Sequence, residues 1–392
     1  MKSGNTLMSG LGTTVFEVMS GLAREHKSVN LGQGFPDDPG PEDVRRAAAE
    51  FVMDGHNQYP PMMGLPELRQ AVAENNRRFW GLAVDWQSEV MVTSGATEAL
   101  ADCLFGLIEP GDEVVLIEPL YDSYLPIVRR AGGVPRLLRL EPPHWQLPAD
   151  RLAALFTDRT KLILLNTPMN PCSKVFTRDE LQMIADLCVR HDVLAVCDEV
   201  YEHIVFDGHQ HLPLMSLPGM RERCVRIGSA GKTFSVTGWK VGYITAAPRL
   251  LQPIARTHQF MTFTTPPNLQ WAASVGLRKD DSYFSSLVGG LQAKRDRLAN
   301  GLAGIGFGVI DTGGTYFVTT DFRPLGFNGT DEDFCRHITV EAGVTAVPVS
   351  AFYDGSGYGD VELPRHYARF CFCKHDSTLD AALERLAKHF RR

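Results

Sequence analysis

The segment KLILLNTPMNPCSKVFTRDELQMIADLCVRHDVLAVCDEVY, residues 161–201, contains two short apolar runs separated by a helical pattern. The runs Lys161–Leu165 and Val193–Cys197 have the length and the Val, Ile and Leu content of buried parallel strands. Between them, apolar residues recur at helical spacing, and Thr177 followed by Glu180 forms a capping box that marks a helix start. The segment therefore predicts a strand–helix–strand unit.

The same alternation continues on both sides of this unit. Strand-length runs lie at Glu113–Ile117 and Cys224–Ile227, and a helical apolar face lies between Ala99 and Ile108. Strands that alternate with helices predict an α/β domain with a mostly parallel sheet, whose ligands bind at the carboxyl ends of the strands. Beyond about residue 280 a long helix over Ser282–Leu302 and mixed elements predict a second, smaller α+β domain.

Composition restricts the class of protein. The 392 residues are 44% hydrophobic and 22% charged, which is typical of a soluble globular chain, and the net charge of −7 argues against nucleic acid as a partner. The eight cysteines form neither a zinc-ribbon nor a disulfide pattern, so no metal is expected and the thiols are interpreted as reduced. Without a secretory signal or a long apolar run, we expect a cytoplasmic protein with no membrane partner.

Polar residues follow three of the predicted strands. These are Asn166 and Asn170, then Asp198 and Tyr201, then Ser229 and Lys232. Taken singly, an Asp after a strand is often a helix N-cap, an Asn beside proline is often a turn residue, and a loop lysine is often solvated. Because three strand ends of one sheet carry them together, they predict a ligand site.

The tripeptide Gly231-Lys232-Thr233 also allows a phosphate-loop interpretation. That motif needs a glycine five residues before its second glycine, and position 226 is Arg226. The residues after Lys232 also have the pattern of a loop and a strand, whereas the lysine of a phosphate loop opens a helix. A nucleotide-binding function of this type is therefore excluded.

A lysine with no acidic neighbour can instead serve as an amine nucleophile toward a carbonyl, and pyridoxal phosphate is the best-known carbonyl cofactor. That cofactor needs a carboxylate for its ring nitrogen, donors for its phenolic oxygen and a site for its phosphate. Candidates for these three needs are Asp198; Tyr201 with Asn170; and Ser229 with Lys240. The helix start at Ser94-Gly95-Ala96-Thr97 offers further amides to an anion.

At these residues the sequence resembles the fold-type-I aminotransferases of class I/II, in the branch of kynurenine, glutamine-phenylpyruvate and methionine aminotransferases. The matching segments cover nearly the whole chain in order. They are VNLGQGFPD (29–37), NQYPPMMGLPELRQAVA (57–73), VTSGATEAL (92–100), EPLYDSY (118–124), NTPMNPCSKVF (166–176), DEVYEHIVFDG (198–208), SAGKTFSVTGWKVGY (229–243) and ARFCFCK (368–374).

The resemblance implies a fold and a domain division. It implies an α/β fold with a mostly parallel seven-stranded sheet in a large pyridoxal-phosphate-binding domain, residues 46–280. The N-terminal arm and part of the small domain would span 1–45, and the C-terminal small domain 281–392. The resemblance also implies a homodimer.

The resemblance further implies a role for each site residue. Lys232 would form the Schiff base and carry the proton, and Asp198 would hold the ring nitrogen protonated. Tyr201 and Asn170 would bind the ring hydroxyl, and Tyr121 would stack on the ring face. The phosphate would be bound by Gly95, Ala96, Thr97, Ser229 and Lys240, together with Tyr59 from the partner subunit. The substrate would be bound by Gly34, Asn170 and Arg369. Lys240 stands where many relatives have Arg, which keeps the charge without bidentate recognition.

Arg369 also allows a structural interpretation. In YARFCFCK, strand alternation puts Arg369 on one face with Cys371 and Cys373, so its charge needs an anion. Without the resemblance, a salt bridge to a nearby Asp or Glu explains this arginine as well as a clamp on a substrate carboxylate does.

The implied activity is exchange of an amino group between an L-amino acid and a 2-oxo acid by a ping-pong mechanism. The implied donors are aromatic, thioether or glutamine-like amino acids. Alternatives on the same fold are a cysteine-S-conjugate β-lyase, which shares the lysine, aspartate and arginine, and a succinyl-diaminopimelate aminotransferase. A non-enzymatic regulator would need a DNA-binding domain, for which this acidic chain has no segment left.

Overall fold

The structure is a computed structural model that describes residues 2–354 and 363–390. Its helices are α1 Thr6–Ser9, α2 Val15–His26, α3 Glu42–Asp54, α4 Pro66–Trp80, α5 Trp86–Glu89, α6 Gly95–Leu107, α7 Tyr124–Arg130, α8 Ala149–Ala153, α9 Arg178–Arg190, α10 Ala230–Thr233, α11 Pro248–Met261, α12 Pro267–Leu277, α13 Asp281–Ile305, α14 Asp331–His337 and α15 Asp376–Phe390. Its strands are β1 Val29–Asn30, β2 Val90–Thr93, β3 Glu113–Glu118, β4 Val134–Arg139, β5 Thr160–Asn166, β6 Leu194–Asp198, β7 Cys224–Ser229, β8 Gly242–Ala246, β9 Gly308–Val309, β10 Phe317–Asp321, β11 Val344–Thr345, β12 Val347–Pro348 and β13 Tyr367–Cys371.

The main sheet has seven strands in the order β2-β8-β7-β6-β5-β3-β4. Strands β4, β3, β5, β6 and β7 pair in parallel, and β8 runs antiparallel to both β2 and β7. The predicted mostly parallel seven-stranded sheet is confirmed. The four strands predicted from sequence are β3, β5, β6 and β7, with ends that differ by one or two residues.

Both faces of this sheet are buried, and the alternation of side chains divides them between two cores. On β3, Val115 and Ile117 pack into one hydrophobic cluster, whereas Val114 and Leu116 pack into the other. Helix α9 covers the first face and α6 the second. A sheet covered on both sides needs continuous apolar strands, which is why these strands lack a polar alternation.

The predicted start of α9 is confirmed. The Thr177 hydroxyl accepts a hydrogen bond from Glu180 N at 3.2 Å, and the Glu180 carboxylate accepts one from Thr177 N at 2.9 Å. This reciprocal pair satisfies two of the amides that a helix start leaves without partners.

The C-terminal part of the chain forms a second, antiparallel sheet in the order β12-β13-β10-β9. It has its own core, in which Phe317 and Phe370 pack with α13 and α15 through Leu298 and Leu386. The predicted long helix over 282–302 corresponds to α13, Asp281–Ile305. The parallel pair β1–β11 joins the N-terminal segment to this part of the fold. The domain boundaries at 45 and 280 stay a prediction.

Among the described residues, no helix combines the length and the apolar character that crossing a bilayer requires.

Helix α6 carries an acid into the core between the sheet and α11. The Asp102 side chain is fully buried, and its Oδ2 lies 3.7 Å from His258 Nδ1 on α11. Burial, and then the charge of Glu98 one turn earlier, raise the pKa of the Asp102 carboxyl from 3.8 to about 8. The folded state therefore holds this proton more tightly than the unfolded chain does.

The pH dependence of unfolding tests this assignment. Because the pKa is raised in the folded state, the contribution of Asp102 to stability is greatest below about pH 4, falls as the pH rises to about 8, and is then constant. We expect Asp102→Asn to gain stability relative to the parent across that interval, by as much as about 5 kcal/mol, since each pKa unit corresponds to about 1.4 kcal/mol.

Urea unfolding of both proteins between pH 4 and pH 8 measures the difference. Asp186→Asn, at an exposed position of α9, is the control. Its free energy of unfolding should differ from that of the parent by the same amount at every pH. Parallel curves for Asp102→Asn and the parent would mean that Asp102 stays charged throughout.

Candidate active site

The carboxyl ends of three neighbouring strands meet at one edge of the seven-stranded sheet. Asn166 ends β5, Asp198 ends β6 and Ser229 ends β7, and the first two are paired in register. In front of them lies a cleft of about 470 Å³. The ligand site predicted from the sheet rule is therefore a real cavity.

All predicted site residues except one line this cleft. They are Gly34, Gly95, Ala96, Thr97, Tyr121, Asn170, Asp198, Tyr201, Ser229, Lys232, Lys240 and Arg369. Tyr59 does not line it. Its side chain is 80% exposed and contacts Phe263 edge to face at 5.5 Å.

Asp198 is a buried acid that faces the cleft. Tyr124 OH donates to its Oδ2 at 2.6 Å, and Val200 N donates to its Oδ1 at 3.4 Å. Burial raises the pKa of this carboxyl, and the Tyr124 hydrogen bond and the charge of Lys232 oppose that rise. Asp198 has no ion pair among the described residues, so a cationic or N–H group placed in the cleft would stabilise its charge.

Lys232 lies opposite, in the one-turn helix α10. The sequence predicted a loop after this lysine, and the structure continues the helical turn to Thr233 before the chain leaves it. The Nζ atom lies 5.7 Å from the ring centroid of Tyr201 and 5.8 Å from that of Tyr316. Burial lowers the pKa of Lys232, and Lys232 forms no ion pair with any other described residue. A lysine with a lowered pKa is the form that acts as a nucleophile or base.

The amino end of α6 and the turn at Lys240 approach each other closely. Gly95 has φ +76°, and a Cβ there would lie 3.2 Å from Lys240 Cε and 3.4 Å from its Nζ. A Cβ on Gly242 would lie 2.6 Å from the carbonyl carbon of Gly95. Lys240 itself adopts a left-handed conformation with φ 55°. Helix amides and an ammonium group thus converge on one point, which suits an anion.

Arg369 lies at the other end of the cleft, on β13. Its Nη1 donates to Asn170 Oδ1 and its Nη2 to Gly32 O, each at 2.8 Å. The guanidinium lies 3.9 Å from the ring centroid of Phe317, and burial lowers its pKa. Its partners are an amide and a carbonyl, not an Asp or Glu within 4.0 Å among the described residues, so the structural salt bridge is not found. Its Nε atom is buried without a hydrogen-bond partner.

Several contacts escaped the sequence analysis. Tyr124 follows Tyr121 by three residues and begins α7, so helical spacing could have suggested that it accompanies Tyr121 into the cleft. Tyr316 OH donates to Gly34 O at 2.8 Å, and Phe317 covers Arg369. No sequence signal could have found these two, because Tyr316 immediately precedes β10, Phe317 begins it, and their positions depend on the pairing of β10 with β13.

A buried ion network supports the strand ends from behind. Arg226 Nε donates to Glu199 Oε2 at 2.6 Å, its Nη2 donates to Glu202 Oε2 at 2.8 Å, and His211 contacts the same Glu199 oxygen at 3.0 Å. The arginine that excluded the phosphate-loop motif is therefore a structural cation of β7. It offsets the charge of Glu199 next to Asp198.

Comparisons with known proteins agree with this geometry. Residues 26–386 match the family model described as aminotransferase class I and II. The chain is 44% identical over 380 residues to a probable N-succinyldiaminopimelate aminotransferase, DapC, of Mycobacterium tuberculosis, with 96% of each chain covered. It is 39% identical over 398 residues to the human kynurenine–oxoglutarate transaminase 1, with 94% and 93% covered.

A solved structure gives the same result. YbdL from Escherichia coli, reported with a methionine aminotransferase function, superposes with a TM-score of 0.94 at 38% identity and covers 99% of this chain and 100% of its own.

The convergence at Gly95 can be tested with two glycines of similar conformation. Gly95 and Gly81 both have positive φ, +76° and +65°, but an added Cβ meets Lys240 only at Gly95 and meets nothing within 4 Å at Gly81. Both alanine variants should lose roughly 1 kcal/mol of stability through backbone strain. Only Gly95→Ala should also bind inorganic phosphate more weakly, by roughly threefold, because it displaces the ammonium group from the helix end.

Calorimetric titration with inorganic phosphate measures the second effect, and urea unfolding measures the first. Equal phosphate affinity in the two variants would show that Lys240 and the α6 amides do not share a ligand.

Proposed function

The chain belongs to the class I and II aminotransferases, and from that premise we propose that it binds pyridoxal 5′-phosphate in the cleft at the carboxyl edge of the seven-stranded sheet. Enzymes of this family exchange an amino group between an amino acid and a 2-oxo acid, and this chain is an enzyme of that kind. The observation that carries the proposal is Lys232, a half-buried lysine that lines the same cleft as Asp198 and has no ion pair among the described residues.

The residues present fit the cofactor. It has a ring nitrogen that needs an anion, a phenolic oxygen, a carbonyl carbon and a phosphate, and when bound it supplies an electron-accepting ring for carbanion chemistry. Asp198 suits the nitrogen, because a carboxylate that is costly to keep charged gains most from a positively charged ring. Asn170 and Tyr201 lie beside it for the phenolic oxygen, and Tyr121 supplies an aromatic face.

Lys232 serves as both nucleophile and base in this proposal. Burial lowers its pKa, which favours the uncharged amine whose electron pair at Nζ a nucleophile or base needs. With the cofactor bound there, Lys232 Nζ would take the proton from the substrate's α carbon and would hold it for return in the reverse half of the exchange. The lysine lies in a short helix anchored to β7 by the Ser229 side chain, which accepts from Gly231 N at 3.2 Å and keeps the amine in one position.

The phosphate end of the site is the convergence of Gly95, Ala96 and Thr97 with Ser229 and Lys240. Helix amides and a lysine ammonium together offset the charge of a phosphate. Lys240 acts there as a point charge, since it lacks the planar fork of an arginine.

The substrate end is Arg369, supported by Asn170 and Gly34. The guanidinium is buried, its Nε has no partner, and its present partners are neutral, so a carboxylate would supply the missing anion. Phe317 below the guanidinium plane holds it in one orientation, which suits bidentate recognition of the α-carboxylate.

The lining favours a donor with an uncharged side chain. Phe16, Phe35, Phe317 and Tyr121 supply aromatic surface. Among the described residues, the cations that line the cleft are Lys232, Lys240 and Arg369, and each already has a role. We therefore propose an aromatic, thioether or glutamine-like amino donor. A succinylated diaminopimelate, the substrate in the name of the 44% identical relative, would need a further cation for its distal carboxylates.

We propose a homodimer in which Tyr59 reaches the phosphate of the neighbouring site. Tyr59 is exposed in the single chain, and the adjoining segment exposes Phe260 at 82% and Met261 at 55%. Such a group of exposed apolar side chains is unusual on a monomer and is typical of an interface. We propose a cytoplasmic location, supported by eight cysteines that all carry free thiols.

The role of Lys232 is tested by Lys232→Ala. We expect turnover to fall by at least about 1,000-fold, since a positioned proton carrier contributes that much, and the borohydride-reducible link to pyridoxal phosphate to disappear. Lys174→Ala is the matched control, because Lys174 is also shielded from solvent but pairs with Glu180 at 2.7 Å. It should keep both properties. A reducible link that survives in Lys232→Ala would assign the nucleophile to another lysine.

The role of Arg369 is tested by Arg369→Lys. A lysine keeps the charge but loses the planar fork of the guanidinium. The kcat/KM for α-amino acids should therefore fall by the equivalent of roughly 2 to 4 kcal/mol, while kcat/KM for primary amines without a carboxylate should change little. Arg69→Lys is the control, because Arg69 is also buried but donates to the carbonyls of Val90 and Gln87 away from the cleft.

Stopped-flow measurement of the decrease in cofactor absorbance gives the reaction rate with each class of amine. A parallel loss toward amino acids and simple amines would make Arg369 a structural residue instead.

A further inference from the structure

A carboxylate lies directly behind the proposed phosphate site. Glu98 is in the first turn of α6, and its Oε2 accepts a hydrogen bond from Ser94 N. The Glu98 side chain is therefore folded back toward the amides of Gly95, Ala96 and Thr97. A bare negative charge at this helix end would oppose the binding of an anion, because it occupies the same positive end of the dipole.

His258 on α11 faces that carboxylate and is fully buried. Its Nδ1 lies 2.9 Å from Glu98 Oε1, and its Nε2 lies 3.1 Å from the carbonyl oxygen of Met62. A carboxylate and a carbonyl only accept hydrogen bonds, so both ring nitrogens need a hydrogen to satisfy them. The contacts of the ring thus assign His258 as an imidazolium, whose positive charge offsets that of Glu98.

The same histidine joins three segments of the chain. Met62 follows the exposed Tyr59 by three residues, and Phe263 N donates to His258 O at 2.8 Å. The Phe263 ring in turn contacts the Tyr59 ring. His258 therefore lies between the amino end of α6, the loop that carries Tyr59 and the segment that follows α11.

We propose that His258 is a positioning residue for the phosphate group: it cancels the charge of Glu98 behind the α6 amides and holds the Met62 loop against that helix end. The inference rests on the proposed function only in taking the anion at Gly95–Thr97 to be the cofactor's phosphate. His258 contacts neither cofactor nor substrate, so its effect passes through Glu98 and the Met62 carbonyl.

Two conservative variants separate the contacts of the ring. In His258→Gln the amide nitrogen reaches the position of Nε2 and keeps the Met62 contact, whereas in His258→Asn it reaches that of Nδ1 and keeps the Glu98 contact. Both are neutral, so both leave Glu98 uncompensated. We expect each to bind inorganic phosphate and pyridoxal phosphate roughly tenfold more weakly, which is within the range of a partly buried charge at a helix end.

The decisive variant is Glu98→Gln combined with His258→Gln. Removing the carboxylate charge removes the need for the imidazolium, so the double variant should recover most of the lost phosphate affinity. The affinity of pyridoxal without its phosphate should be the same in all variants. The ³¹P NMR signal of the bound cofactor should shift in the single His258 variants and return toward the parent value in the double variant.

A control and two outcomes complete the test. His211→Gln removes another fully buried histidine that contacts a glutamate, Glu199 at 3.0 Å, and should lower thermal stability without changing the affinity for inorganic phosphate. If the double variant binds inorganic phosphate as weakly as His258→Gln alone, or if His258→Gln lowers only thermal stability, the inference is wrong. If the parent protein itself binds neither phosphate nor pyridoxal phosphate, the proposed function is wrong instead.

Discussion

Three charged side chains surround one cleft without an ion pair among the described residues, and the rest of the site follows from that constraint. Asp198 and Arg369 are buried, and Lys232 is half-buried. Burying an isolated charge is costly, so the fold gives two of them neutral hydrogen-bond partners: Tyr124 for Asp198, and Asn170 with Gly32 for Arg369. These dipoles reduce the cost without removing it. A ligand with complementary charges would lower the cost that remains, so the cleft is suited to bind one.

A ligand of the proposed kind supplies all the complementary groups at once. A protonated ring nitrogen would face Asp198, a carbonyl carbon would face the amine of Lys232, and the substrate carboxylate would face Arg369. Each charged group of the ligand would thus stabilise the opposite charge of a residue whose pKa burial has shifted. Residues that are costly to bury would therefore gain free energy from such a ligand.

Two groups of buried charges outside the cleft are treated differently, because their members pair with one another. Arg226 joins Glu199 and Glu202 behind the strand ends, and His258 faces Glu98 behind the α6 amides. Buried pairs of this sort do not by themselves add much stability, but breaking one leaves an uncompensated charge. Their position behind the binding groups lets them set the local potential without entering the cleft.

The sequence by itself determined the α/β class, the parallel strands β3, β5, β6 and β7, the start of α9 and the polar residues at three strand ends. These features depend on local periods, caps and the rule that parallel strands end at one edge, so neighbouring residues carry the information. Of the predicted residues that line the cleft, Tyr121, Gly34 and Arg369 came from the resemblance. Only the tertiary structure decided that Tyr124 is the partner of Asp198, that Arg369 stacks on Phe317 and lacks an acidic partner, and that His258 faces Glu98 across 160 residues of chain. Those contacts depend on how α7, β10 and α11 pack against distant elements, and side-chain packing between elements far apart in the chain has no periodic signature in the sequence.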